Sequence, residues 1–113
     1  MMDRQLIEEY AEFASKHGAG ILAFDAEATN AAQAELVKRY RQIRNAGALL
    51  SLVPLLDHVD PSVSAWAATH LLEVKPTQAI QTLERHARGT GPLALDAKMV
   101  LKQWNEGTLE IER

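Results

Sequence analysis

The sequence predicts an all-α protein, a short right-handed stack of about five to six antiparallel helices in a single domain. Apolar residues recur at three- and four-residue spacings along most of the 113 residues. Residues 52–72 form the pattern of a complete hairpin of two helices with the turn between them. A shift of thirty residues brings a partial second copy of this hairpin into register. A repeat of this length predicts helical pairs that bury their apolar faces against one another.

Residues 1–46 are predicted to form an N-terminal helical pair. The first helix covers residues 3–17, and the Gly-Ala-Gly run at 18–20 is expected to end it. Asp25 can cap a second helix over about residues 26–45. The apolar positions are Leu6, Ile7, Tyr10, Phe13, Ala14 and His17 in the first helix, and Ala32, Leu36, Tyr40 and Ile43 in the second. We expect this pair to be the third layer of the stack, because two repeats alone would be marginal.

Four basic side chains of the second helix lie mainly away from its apolar stripe: Lys38, Arg39, Arg41 and Arg44. Such residues usually form a solvated helix face, and their position near the C-terminal end suits the helix dipole. The alternative is a patch for an acidic partner, which requires these side chains to be unpaired.

The first repeat unit, residues 47–74, contains the hairpin. The first arm, residues 48–58, has Pro54 inside an apolar helical pattern, so a kinked α-helix is predicted there. Asp60 can cap the second arm, and Pro61 suits its first helical position. The apolar face of the second arm consists of Val63, Ala67, His70, Leu71 and Val74, with Trp66 at its border. The residues predicted to face elsewhere are Ser64, Ala65, Ala68 and Thr69.

The second repeat unit, residues 75–105, has a third and a fourth arm separated by a glycine-rich turn at residues 88–92. Residues 106–113 form an acidic tail that is expected to fray or lie on the surface. The apolar positions are Ala79, Ile80, Leu83, His86 and Ala87 in the third arm, and Leu93, Ala97, Val100, Leu101 and Trp104 in the fourth. The thirty-residue shift superposes Val63, Ala67 and Leu71 on Leu93, Ala97 and Leu101.

Residues 52–72 resemble a HEAT repeat in several features. These are an apolar first arm with a proline, an aspartate turn, and then Val63, Ala67 and Leu71 at four-residue spacing. The resemblance implies a HEAT-like solenoid. The HEAT pattern often has an arginine after that valine, where it contacts the turn aspartate. This chain has Ser64 at that position, so one partner of the Asp–Arg ladder of long HEAT arrays is missing.

A second resemblance covers most of the chain, from about Leu6 to Gly107. It rests on an N-terminal helix, Asp25 with Asn30 at the start of the second helix, Gly47, residues 54–72, Asp96, Ala97, Leu101, Trp104 and Gly107. In these features the chain is similar to the bacterial family labelled domain of unknown function 2019. The family implies a small all-helical HEAT-like fold and carries no established activity, so no residue takes a role from it.

Composition and charge restrict the class of protein. The chain has no cysteine, which excludes disulfides and thiolate metal sites, and no stretch is apolar enough to span a bilayer over about 20 residues. The charged N-terminal residues do not resemble a signal peptide, so a soluble cytoplasmic protein is expected. The formal net charge is −3 and both halves are slightly acidic, which disfavours binding to duplex nucleic acid.

No catalytic residue, cofactor or metal ion is predicted, and the chain is not expected to be an enzyme. Asp57 and Asp60 could form a hydrolytic pair, but short acidic side chains at a turn more often cap helices and satisfy turn amides. Neither glycine run has the features of a phosphate loop, and no serine lies in a nucleophile elbow. The histidines form no i, i+4 metal pair, and the prediction is a turn residue for His58 and packed neutral imidazoles for His70 and His86.

The leading functional hypothesis is a non-enzymatic interaction module that binds another protein. Its predicted surface consists of Trp66, Thr69, His70, Asp96, Lys98 and Met99. For Trp66 and Trp104, core packing is the alternative, since a buried tryptophan contributes a large apolar area.

Two further hypotheses concern the partner, and one concerns a different class of function. The first is that the partner is a toxin, which this protein neutralises as an immunity protein. The second is a homodimer, which would form if the uncovered ends of so short a stack associate. The rival hypothesis is a nucleic-acid-binding or base-repair enzyme of HEAT-like fold. That enzyme would need a basic concave face and a well-placed carboxylate.

Overall fold

The computed structural model describes residues 4–110, which contain six helical segments and no β-strand. The segments are α1 Arg4–Leu22, α2 Ala26–Asn45, a 3-10 helix Leu49–Asp57, α3 Pro61–Leu71, α4 Pro76–Ala87 and α5 Pro92–Glu106. The prediction of an all-α chain of about five to six helices is confirmed. Met1 to Asp3 and Ile111 to Arg113 lie outside the described residues, and so do the predicted start of the first helix and the end of the tail.

The prediction that α1 ends at residues 18–20 is wrong, because α1 continues through both glycines to Leu22. Both glycines are buried where other helices approach α1 closely. A Cβ atom at Gly18 would collide with the side chain of Ser62, and one at Gly20 would lie 2.5 Å from Thr29 Oγ1. Here glycine provides room for a neighbouring helix instead of a helix stop.

The end of α1 is a Schellman motif whose left-handed position is occupied by Phe24, with φ of 55°. The amide of Asp25 donates to the carbonyl of Gly20, and the amide of Phe24 donates to that of Ile21. Asp25 then caps α2 as predicted, since its side chain accepts a 3.0 Å hydrogen bond from the amide of Ala28. The phenyl ring contributes little to the core, because Phe24 is 90% exposed.

Helix α3 lies at the centre of the molecule and contacts α1, the 3-10 helix, α4 and α5. Asp60 caps it and Pro61 begins it, as predicted. The prediction of a single buried face is wrong in part, because Ser64 and Ala68 are also fully buried. Val74 is exposed, since α3 ends at Leu71 before reaching it. The buried apolar residues of α3 and its last turn are Val63, Ala67, Ala68, Leu71 and Leu72.

The first arm of the hairpin is a 3-10 helix and not the predicted kinked α-helix. Its three-residue period places Leu49, Leu52 and Leu55 on one side, where they pack against the core. The carbonyl of Leu56 near its end accepts hydrogen bonds from Ser64 Oγ at 2.7 Å and from an Arg85 nitrogen at 3.0 Å. Donors from two other helices therefore support this end of the segment.

Helices α4 and α5 form the second hairpin, with bounds close to those predicted. Ala79 and Leu83 of α4 and Ala97 of α5 are buried. The other predicted apolar positions of the two arms are half-buried: Ile80, His86, Ala87, Leu93, Val100, Leu101 and Trp104. This pair therefore lies closer to the surface than the first hairpin. Among the helices of residues 4–110, none combines the length and apolar character needed to cross a membrane.

Candidate binding cleft

A cavity of about 330 Å³, here called the cleft, lies where α1, α3 and α5 meet. Most of its lining comes from α3 and α5, and His17 of α1 and Leu109 of the tail also line it. The remaining lining residues are Gln33, Ser62, Ala65, Trp66, Thr69, His70, Leu83, Leu93, Asp96, Ala97, Met99, Val100 and Glu110.

The cleft contains all but one of the residues predicted to bind a partner. Its lining includes Trp66, Thr69, His70, Asp96 and Met99, whereas Lys98 is exposed and does not line it. At about 100° per residue, the Lys98 side chain lies some 200° around α5 from that of Asp96. Trp66 and Trp104 are both half-buried against the core, and only Trp66 lines the cleft.

Helix α1 and the tail also contribute to the cleft, which the sequence did not predict. His17 was predicted only as an apolar position of the first helix, and Leu109 as part of a surface tail. No local pattern marks either residue, since each reaches the cleft through the packing of distant segments. Leu109 instead packs against the core.

Trp66 is held in place by two histidines. Its Nε1–H donates to His17 Nδ1 at 3.3 Å, and the two rings meet edge to face with centroids 5.1 Å apart. The ring of His70 lies 5.3 Å from that of Trp66, centroid to centroid. Burial lowers the pKa of His17, although the nearby charge of Asp96 acts in the opposite direction. His17 is therefore a neutral hydrogen-bond acceptor at neutral pH.

His70 forms the floor of the cleft. It is almost completely buried, and its ring stacks on that of Tyr40 with centroids 3.9 Å apart and planes 13° from parallel. Nδ1 lies 2.6 Å from the Tyr10 hydroxyl. Burial lowers the pKa of His70 to about 3, so the ring is neutral at physiological pH. The prediction of a packed neutral imidazole is confirmed.

The charged side chains in the cleft wall are Asp96 and Glu110, and no lysine or arginine of residues 4–110 lines it. Partial burial raises the pKa of Asp96, while His17 acts to lower it. Across the described ranges, no group of three histidine or carboxylate side chains is close enough together to hold a metal ion.

Asp60 and His58 have structural roles at the turn before α3, as predicted. Asp60 Oδ1 accepts from the Ser62 amide at 2.9 Å, and Oδ2 accepts from Ser15 Oγ at 2.5 Å. His58 Nδ1 accepts from the Asp60 amide at 3.0 Å. Asp57 is exposed at the end of the 3-10 helix.

Ser64, at the position where a HEAT repeat often has arginine, is completely buried. Its hydroxyl donates to the carbonyl of Leu56 and lies 2.8 Å from His86 Nε2. Burial and the adjacent charge of Arg85 both lower the pKa of His86. Arg85 of α4 donates to the same carbonyl. A guanidinium therefore does lie at this end of the hairpin, but it comes from another helix.

The basic face of α2 is partly paired. Arg39 lies 3.2 Å from both Glu9 and Glu35 and above the ring of Phe13, and its side chain is only 17% exposed. This residue therefore belongs neither to a solvated face nor to a free patch for an acidic partner.

Comparison with known proteins gives a likeness of fold. No protein-family model matches the chain, so the resemblance to domain of unknown function 2019 stays a prediction. No curated protein matches the chain either. The fold is similar to that in the crystal structure of the protein RPA1889 from Rhodopseudomonas palustris CGA009. The TM-score is 0.87 and the identity 21%, over 98% of this chain and 94% of the other. The two chains share their helical fold over nearly their whole lengths.

Proposed function

We propose that this protein is a non-enzymatic interaction module that binds a segment of another protein in the cleft. The observation that carries the proposal is an apolar rim that continues outward from the cavity along α5. Leu95 and Met99 lie one turn apart on this helix and are 60% and 47% exposed. A half-buried tryptophan beside exposed apolar residues is typical of the centre of a protein interface.

The size of the cleft suits one or two side chains of a partner. Its volume of about 330 Å³ lies at the lower end of the range for small-molecule pockets, roughly 300–1,000 Å³. The rim on α5 adds apolar surface that so small a ligand would leave exposed. A partner segment could fill the cavity and cover the rim at the same time.

We also propose that the helices form a HEAT-like stack. A right-handed HEAT-like stack is supported by the thirty-residue shift, which relates α3 to α5, and by the contact between these two helices. In such a stack, equivalent helices form one continuous binding surface. The cytoplasm is the proposed compartment, since a chain without cysteine gains nothing from oxidising conditions.

A more specific version of the proposal is that the partner is a toxin and that this protein is its immunity factor. A toxin gene immediately upstream in the native genome would support that form. The base-repair alternative gains no support from the cleft, because Asp96 and Glu110 would repel phosphates.

Affinity capture from native cells with matched variants tests the proposal. Leu95→Asp and Met99→Asp place a charge on the rim, and Leu50→Asp is the control, since Leu50 is 57% exposed on the 3-10 helix away from the cleft. We expect that the wild type and Leu50→Asp capture a partner protein that neither rim variant captures. Calorimetry with the purified partner should then show at least about tenfold weaker binding for the rim variants. An identical set of captured proteins for all four forms would contradict the proposal.

A further inference from the structure

We propose that the cleft recognises a cationic side chain, lysine or preferably arginine, whose charge pairs with Asp96 beside the indole of Trp66 while its aliphatic part packs against the apolar wall of the cleft. This inference rests on the proposed function and names the chemistry of the partner segment.

The charge of the cleft favours a cation. Asp96 and Glu110 are its acidic groups, and the basic residues of α5, Lys98 and Lys102, do not line it. His17 and His70 add no positive charge, because both imidazoles are neutral at physiological pH. The cleft therefore attracts a cation and repels an anion.

Asp96 lies on the cleft wall as an exposed carboxylate without a compensating partner. No other residue of the described part of the chain forms a hydrogen bond or an ion pair with its carboxylate. Partial burial raises the pKa of Asp96, which shows that its environment disfavours the charged form. A purely apolar side chain in the cleft would remove still more water from this group, whereas a cation would neutralise it.

The wall around Asp96 is largely apolar. Apolar side chains next to Asp96 can cover the methylene groups of a lysine or arginine, and the principal ones are Leu93, Ala97, Met99 and Val100. The indole of Trp66 offers an aromatic surface to the charged group. Arginine suits this combination better than lysine, because its guanidinium is less strongly hydrated, stacks on aromatic rings and can bind a carboxylate through two N–H groups.

Three small probes of matched size test the inference: n-butylguanidinium, the neutral N-butylurea, and the anion pentanoate. Binding is measured by the fluorescence of Trp66 in a Trp104→Phe background, since these are the two tryptophans of the chain. The Trp66 indole N–H resonance gives an independent measurement. We expect saturable binding of butylguanidinium, with Kd on the order of millimolar for so small a ligand. Butylurea should bind at least about tenfold more weakly, because its hydrogen bonds to Asp96 would not be assisted by a positive charge.

Asp96→Asn should remove the preference for butylguanidinium over butylurea. The matched control is Glu106→Gln, which makes the same change of charge on α5 at an exposed residue outside the cleft, and which should keep the preference. Thermal unfolding checks that both variants are folded. Asp96→Asn should be at least as stable as the wild type, since it removes a partly desolvated charge.

Two results would overturn the inference: equal affinity for butylguanidinium and butylurea, or no saturable binding of butylguanidinium. Loss of the preference in Glu106→Gln would also count against it, because the effect would then come from overall charge. None of these results contradicts the interaction module itself, which the Leu95 and Met99 variants test separately.

Discussion

The hydroxyl of Tyr10 and Nδ1 of His70 lie 2.6 Å apart in the buried centre of the molecule, where they join α1 to α3. Burial raises the pKa of Tyr10 and lowers that of His70, so both groups are neutral in the folded protein. With the imidazole proton on Nε2, the hydroxyl donates to Nδ1. This bond satisfies two polar groups that would otherwise be costly to bury.

Tyr10→Phe should destabilise the protein, because it leaves Nδ1 of His70 buried without its donor. The expected loss is about 1–3 kcal/mol in the free energy of unfolding, measured by urea denaturation. The double variant Tyr10→Phe with His70→Leu removes both polar groups. It should lose less than the sum of the two single variants, and strict additivity would show that the two groups do not depend on each other.

Acidification should destabilise the fold because of the buried histidines. The pKa of His70 is about 3 in the folded protein and about 6.5 as an unperturbed group, so only the unfolded chain takes up this proton between those values. Above pH 6.5 His70 does not reduce the free energy of unfolding. As the pH falls from 6.5 toward 3, protonation of His70 in the unfolded chain lowers that free energy progressively. The pKa values of His17 and His86 are also lowered, and these residues act in the same direction.

Urea denaturation between about pH 7.5 and 5 measures this effect, with an expected slope of up to about 1.4 kcal/mol per pH unit from His70. His58→Gln is the control, since it retains the three packed histidines and should retain the slope. The pKa of Asp96 is raised in the folded protein, so its protonation stabilises the fold as the pH falls. Asp96→Asn removes this effect, and the free energy of unfolding should then fall more steeply on acidification. Stability that did not change over this range would contradict the burial of His70.

Gly18→Ala separates the two interpretations of the glycines in α1. If Gly18 were only a helix-weakening residue, alanine would stabilise the helix by about 1 kcal/mol. The collision with Ser62 predicts the opposite sign, a loss of about 1–3 kcal/mol. Ser62→Gly opens the space, so Gly18→Ala should be much less destabilising in that background. A Gly18→Ala variant as stable as the wild type would show that α1 and α3 are not this close.

Phe24→Gly should stabilise the protein. Phe24 has φ of 55° at a position where two other helices of this chain end with Gly47 and Gly107, with φ of 69° and 74°. A left-handed conformation costs a residue with a side chain roughly 1–2 kcal/mol, and glycine avoids most of this cost. Phe24→Ala is the matched control, because alanine has the same strain and should give no comparable gain. Equal thermal stability of the two variants would contradict the strain.

The sequence predicted the helices well where a local signal marks their ends. Asp25, Asp60 and Pro61 act within one turn of the residues they cap or begin, and the structure places them as expected. The segment around Pro54 was predicted less well, because donors from α3 and α4 support it. Asp96 and Met99 of α5 were predicted to belong to a binding surface, and both line the cleft. The sequence could not show that α1 would bring His17 against Trp66.

By itself the sequence determined that the chain is helical, where most of its helices begin, and which face of most helices is apolar. These properties depend on interactions among residues a few positions apart. The tertiary structure alone decided that Gly18 accommodates Ser62, that Ser64 is buried, and that the Tyr10 hydroxyl lies against Nδ1 of His70. Close packing and the removal of water from a buried group depend on all the segments that surround a residue, and those segments come from distant parts of the chain.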